Sequence, residues 1–175
     1  MLAALAGIEP VRPFERTAGD EIQGLIAEPG AVIAVLERAL RAGDWSIGLG
    51  IGEIEQPIPP SVREARGTAL LRARDAVDAA KKSATVRLAV RGPDADDLEA
   101  LLRLVGMLVQ RRTAAQWRVI DAVRAAPDRA SAADRLGITV QAISKSLLTS
   151  GEDVVVATYP LLARLLNDAD EGSAG

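Results

Sequence analysis

The run Ala133-Asp134-Arg135-Leu136-Gly137-Ile138-Thr139-Val140-Gln141-Ala142-Ile143-Ser144-Lys145 carries three spacings that a helix-turn-helix requires. Ala133 falls where two helices would touch, so only a small side chain fits there. Gly137, four residues on, falls at the turn, where a positive φ is easiest for glycine. Ile143, six residues further, is placed to plug the core between the helices. Thr139 is a good N-cap for the second helix, and Leu136, Ile138 and Leu147 complete the apolar side. Gln141, Ala142, Ser144 and Lys145 are then left exposed. Gln pairs with adenine in the major groove, Ala touches a thymine methyl, and Ser and Lys reach base edges or phosphates. With Thr139, these are the candidate DNA-contacting residues.

Charge supports that reading locally and not globally. The 175 residues carry a formal charge of -3, so the chain is unlike a protein that coats nucleic acid along its length. Between Arg111 and Ser150, however, seven basic residues (Arg111, Arg112, Arg118, Arg124, Arg129, Arg135 and Lys145) face three acids (Asp121, Asp128 and Asp134). A DNA-reading module needs such a surplus. The competing reading is a three-helix packing unit used for protein contact, an interaction adaptor.

Composition removes whole classes of chemistry. There is no Cys and no His, which excludes disulfides, thiolate nucleophiles, histidine acid–base catalysis and Cys/His zinc sites. Aromatic residues are 2% of a chain that is 49% hydrophobic, so the core must be built from Ala, Leu, Val and Ile. No apolar run approaches the roughly 18–20 residues of a membrane span, and the opening Met-Leu-Ala-Ala-Leu-Ala has no basic leader. A cytoplasmic protein without membrane contact is expected.

The first half alternates strand and helix signals. Val11 to Thr17 and Glu21 to Ala27 flank an Ala18-Gly19-Asp20 turn, a hairpin signal. Val32, Val35, Leu36, Ala39 and Leu40 form one stripe of a helix from about Gly30, with Gly43 as its C-cap. Trp45, Ile47, Leu49 and Ile51 alternate with Ser46, Gly48, Gly50 and Gly52, a strand with one bulky and one bare face. A helix over about 67–82 and a strand over 85–91 follow, the latter with Arg87 and Arg91 as edge protection. Gly92-Pro93-Asp94 marks the domain boundary. Everything beyond reads as helical, with Pro160 expected to kink or restart the last helix. Residues 171–175 read as a disordered tail.

With Gly19-Asp20-Glu21-Ile22-Gln23-Gly24-Leu25-Ile26, the strand Ile47 to Ile54 and the helix Gly67-Thr68-Ala69-Leu70-Leu71-Arg72-Ala73-Arg74-Asp75-Ala76, the chain resembles the SatD-like family. There a Gly-Asp-Glu-aromatic-Gln-Gly segment precedes an Ile-Gly-rich strand, an Ala-Arg helix and a C-terminal helix-turn-helix. The resemblance covers most of the chain and implies a stress-related or regulatory role. Arg16 to Ile22 is also similar to the hairpin of a worn GGDEF-type nucleotidyl cyclase, with Ala18 in place of the first Gly and Ile22 in place of the aromatic. That likeness implies nucleotide-binding roles for Gly19, Asp20, Glu21 and Lys81. The cyclases' metal-binding Asp on a first strand has no counterpart here, so no cyclase turnover, no metal and no cofactor are expected.

The resulting expectation is an α+β chain. Residues 1–92 form a ferredoxin-like, nucleotidyl-cyclase-like sheet domain lacking its first strand. Residues 93–170 form an all-α helix-turn-helix domain. The expected function is a DNA-binding transcriptional regulator, not an enzyme, with double-stranded DNA, a homodimer partner and a nucleotide effector as partners. A metal-dependent nucleotide-processing domain is the catalytic alternative. Buried strand edges cannot stay unpaired cheaply, so residues 21–27 and 45–54 are expected to leave a vacant slot, with the natural protein starting upstream of Met1.

Overall fold

The computed structural model describes residues 2–17 and 19–173. Among these residues the chain forms β1 (Arg12–Arg16), β2 (Ile22–Leu25), α1 (Pro29–Ala42), β3 (Ile47–Gly50), α2 (Thr68–Lys81) and β4 (Leu88–Arg91). Five helices follow: α3 (Asp96–Gln110), α4 (Ala114–Arg124), α5 (Arg129–Leu136), α6 (Val140–Ser150) and α7 (Glu152–Glu171). The architecture is α+β and mostly helical, with two small sheets. β1 and β2 pair antiparallel, and β3 and β4 pair parallel across α2. β2 and β3 belong to different sheets and do not pair with each other.

Period-two alternation organises the second sheet. Ile47, Leu49 and Ile51 of the β3 segment, with Val86, Leu88 and Val90 of the β4 segment, pack into the main core. On the other face, Ala89 packs with Ala76 and Ala80 of α2 in a separate small cluster. Gly48 and Gly50 make that face flat. A Cβ at Gly48 would stand 2.6 Å from the Ala73 carbonyl oxygen, and one at Gly50 would strike Ala69 O and Ala73 N. The bare glycine face is therefore a bed for α2.

The main core runs without a break across residue 92. It holds Leu36 and Leu40 of α1, Leu98, Leu102, Val105 and Val109 of α3, Trp117 and Ile120 of α4, and Leu162 and Leu166 of α7. Leu98 and Leu102 are wholly inside, and each such leucine contributes about 1.5–3 kcal/mol relative to exposure. Gly92-Pro93-Asp94 is thus a bend between elements that share one core.

Three details differ from the sequence reading. The edge of β4 is covered by a side chain from α3: the Val90 N–H donates to Glu99 Oε2 at 2.8 Å, and Arg91 pairs with the same oxygen at 3.0 Å. α7 passes through Pro160 without restarting, because Val155, Leu162, Leu166 and Ala169 anchor both flanks while Pro160 faces solvent. Ordered structure extends into the tail expected over 171–175. Glu171 is helical, and the Ser173 hydroxyl accepts from Arg72 Nη1 at 3.2 Å, while 174 and 175 lie outside the described residues.

The glycine bed gives a stability test. Gly50→Ala forces a methyl into the α2 backbone, which cannot yield as a side chain does, so a loss of roughly 3 kcal/mol or more is expected. Gly30→Ala, in open space on α1, should be neutral or stabilising by up to about 1 kcal/mol. Urea denaturation of both variants checks this; equal midpoints would mean that α2 does not rest on β3.

Candidate nucleic-acid interface

Each helix of the 113–151 segment starts and stops for a local reason. Thr113 opens α4 with a reciprocal cap: its hydroxyl accepts from the Gln116 N–H at 3.2 Å, and the Gln116 side chain accepts from the Thr113 N–H at 2.9 Å. Asp128 opens α5 by accepting from the Ser131 N–H at 2.7 Å. That backbone hydrogen bond holds the exposed Asp128 carboxyl below its ordinary pKa. Gly137 ends α5 at φ 65 and ψ 34, the left-handed region. The Ile138 N–H then donates to Ala133 O at 3.1 Å, and Thr139 caps α6 by accepting from the Ala142 N–H at 3.1 Å. Ala132, Ala133, Ile143 and Leu147 close the space between the helices, all almost fully buried. Gly137 therefore makes the turn between α5 and α6, Thr139 caps α6, and Ala133 and Ile143 are buried.

Gln141, Ala142 and Lys145 are exposed on α6, and Ser144 is half-buried beside them. Thr139 is exposed too, with its hydroxyl engaged in the cap.

The local positive charge is smaller than the sequence window implies, because acids from outside the window fold onto it. Arg112, counted with the basic surface, is buried, with its side chain 1% exposed. Arg124 binds Glu37 through Nη2 at 2.8 Å and Glu152 at 2.7 Å. Burial alone would lower the Arg124 pKa, but the hydrogen bonds to Glu37 and the charges of Glu37 and Glu152 more than reverse this. Arg129 lies 3.7 Å from Asp153, and Arg135 donates to the Ala125 carbonyl. Among the described residues Arg111, Arg118 and Lys145 keep side chains without an ion-pair or hydrogen-bond partner, and all three are exposed.

The buried cluster is the largest feature absent from the sequence reading. Arg112 Nε donates to the Ser150 carbonyl at 3.1 Å, at the end of α6, where a cation also suits the helix dipole. Its Nη2 stands 2.9 Å from Glu152 Oε2, and its Nη1 3.6 Å from Glu37. The Tyr159 hydroxyl donates to Glu37 Oε2 at 3.1 Å. Glu37 lies 75 positions before Arg112, and no local pattern could reveal the pairing.

The hairpin residues form a second, weaker constellation. Ala18 lies outside the described residues; Gly19 turns at φ 64, and Gly19 and Asp20 are exposed. Glu21 and Lys81, 60 residues apart in sequence, do meet: Lys81 Nζ is 3.3 Å from Glu21 Oε1 and 3.4 Å from Asp78. Lys81 is raised above its ordinary pKa by the hydrogen bond to Glu21, then by that to Asp78. Among the described residues no group of three or more carboxylates is placed to hold a metal ion, and no helix is long and apolar enough to cross a membrane. Comparison with family models, curated proteins and solved structures finds no match.

Tyr159 is the single tyrosine, which makes the buried cluster measurable. Burial, and then the Glu37 charge, push its phenol up to about 12. A phenol raised in the folded state favours the protonated form. Its stabilising contribution is full below the unfolded value of about 10 and is lost as pH rises through about 12. Absorbance titration at the phenolate band should give a midpoint near 12 in the native protein, falling toward the ordinary value in Glu37→Gln. A native midpoint at the ordinary tyrosine value would remove Tyr159 from the cluster.

Proposed function

We propose that this chain is a double-stranded-DNA-binding regulator that reads the major groove with α6. One observation supports the reading above the others. The left-handed turn at Gly137 sets α6 against α5 over Ala133 and Ile143, and leaves Gln141, Ala142 and Lys145 open to solvent. In this reading α5 and α6 are a helix-turn-helix. Gln141, Ser144 and Lys145 contact bases or phosphates, Thr139 and Ala142 line the same face, and Arg111 and Arg118 are free for the DNA backbone.

The likeness to the SatD-like family and to a ferredoxin-like cyclase sheet belongs to the same proposal. The parallel β3–α2–β4 unit and the hairpin meeting at Glu21 and Lys81 support it. In this reading the first half scaffolds, dimerises or senses a nucleotide and does not catalyse. A protein-interaction adaptor is the second reading. Leu148, 79% exposed on α6 beside the helix face meant for DNA, favours it.

Replacing Gln141, Ser144 and Lys145 together by Ala should abolish binding to a fragment selected from genomic DNA, with the helical signal intact. Each base contact is worth roughly 1–3 kcal/mol, so the loss is readily seen by fluorescence anisotropy. Unchanged affinity in the triple variant would refute the groove assignment, and Leu148→Ser then tests the adaptor by loss of partner binding.

A further inference from the structure

α3 and α7 run antiparallel: Leu108 lies against Gly151 at one end of their seam, and Pro93 against Gly172 at the other. On α3, Asp97, Leu101, Leu104, Leu108 and Arg111 recur at alternating steps of four and three, and so share one face. On α7, Val154, Thr158, Leu161, Leu165 and Asp168 repeat the same steps. Each stripe spans about 21 Å of helix. Both stand on the seam side of their helices. Glu99, on the far side of α3, turns to β4, and Tyr159, on the far side of α7, turns to Glu37 of α1. Leu104 is 58% exposed and Val154 63%, while Leu101, Leu108, Thr158 and Leu165 are half-buried. The Thr158 hydroxyl donates to the Val155 carbonyl at 2.7 Å, which leaves no free donor on the face. Apolar surface this continuous marks an interaction site.

The charges at its ends indicate the occupant. Asp97 opens the α3 stripe and Arg111 closes it, with Leu104 midway between them. Both are exposed, and among the described residues neither side chain has an ion-pair or hydrogen-bond partner. An acid at one end and a base at the other make the stripe complementary to its own reversed copy. A two-fold axis at Leu104 sets Asp97 against the partner's Arg111 twice, brings Leu101 near the partner's Leu108, and lays Leu104 on itself. The other two-fold stacking, α3 on the partner's α7, sets Asp97 against the partner's Asp168, because both acids stand at the Pro93–Gly172 end. Like charges facing each other penalise that arrangement.

We propose that a second copy of this chain docks here, α3 antiparallel on α3 and α7 on α7, with Leu104 on the axis. The helical half then makes the dimer. The inference goes beyond the DNA reading and does not rest on it; Arg111 serves the dimer, and Arg118 is left for the DNA backbone.

The test uses the whole chain, which has no cysteine of its own. Leu104→Cys should cross-link to itself under mild oxidation, and Asp97→Cys mixed with Arg111→Cys should give the mixed disulfide. Sedimentation equilibrium should give twice 18.3 kDa at micromolar concentration. Leu104→Glu should weaken the dimer at least about tenfold with an unchanged helical signal, since Leu104 is exposed in the single chain. Asp97→Arg and Arg111→Asp should each weaken the dimer, and the two together should restore it, which a folding defect would not do. A chain that stays monomeric, no self cross-link in Leu104→Cys, a dimer indifferent to Leu104→Glu, or a double exchange no better than its single parts would overturn the proposal. The first of these results would leave the face to a different protein. DNA affinity enters none of these readouts, so this assignment and the groove assignment fail separately.

Discussion

The Arg112 guanidinium is the constraint on which the arrangement of the helices depends. A buried cation costs several kcal/mol unless its surroundings replace water. Here Glu152 at 2.9 Å, the Ser150 carbonyl at 3.1 Å, Glu37 at 3.6 Å and the Trp117 ring supply that replacement. Those partners come from α7, the end of α6, α1 and α4. Removing Glu152 would take away the carboxylate nearest this buried cation, so the pair ties the start of α7 to the segment between α3 and α4. The Ser150 carbonyl and Glu37 meet the same guanidinium, which joins the end of α6 to α1 in the first half of the chain. Arg41 on Asp121 and Arg124 on Glu37 reinforce the same junction from its exposed rim.

The second sheet shows a complementary economy. α2 sits so close to β3 and β4 that alanine and glycine alone fit between them, and the large side chains all go to the opposite face. The sheet thus separates a thin, backbone-close layer from the leucine-rich core shared with the helices. The hairpin is held differently. Arg12 donates to the carbonyls of Ile58 and Pro59, and Ser61 donates to Glu15 at 2.6 Å, so polar side chains pin β1 to the loop beyond β3. β2 and β3 remain in separate sheets, and the two halves of the strand layer are joined through α1 and the loop.

Local signals were legible in the sequence wherever one residue type has one physical use. Gly137 at a left-handed turn, Ala133 at a helix contact, Thr139 as a cap and the Gly48–Gly50 alternation each follow from sterics within a few residues. Asp128 as the α5 cap was readable by the same rule, since an Asp three positions before Ser131 satisfies the orphan N–H. Edge protection of β4 by Glu99 was not, because the carboxylate comes from a helix whose position against the strand has no local signature.

By itself the sequence determined the α+β class, the order of the elements, the turn between α5 and α6, and the residues available on α6. These depend on backbone preferences and periodicity, which act over a few positions. Tertiary structure alone decided which charges are free. Seven basic residues in one window count equally on paper, yet Arg112 is buried, Arg124 and Arg129 are paired, Arg135 is bound to a carbonyl, and Arg111, Arg118 and Lys145 remain. Coulomb interactions act through space, and the acids that answer these cations, Glu37 above all, lie far away along the chain.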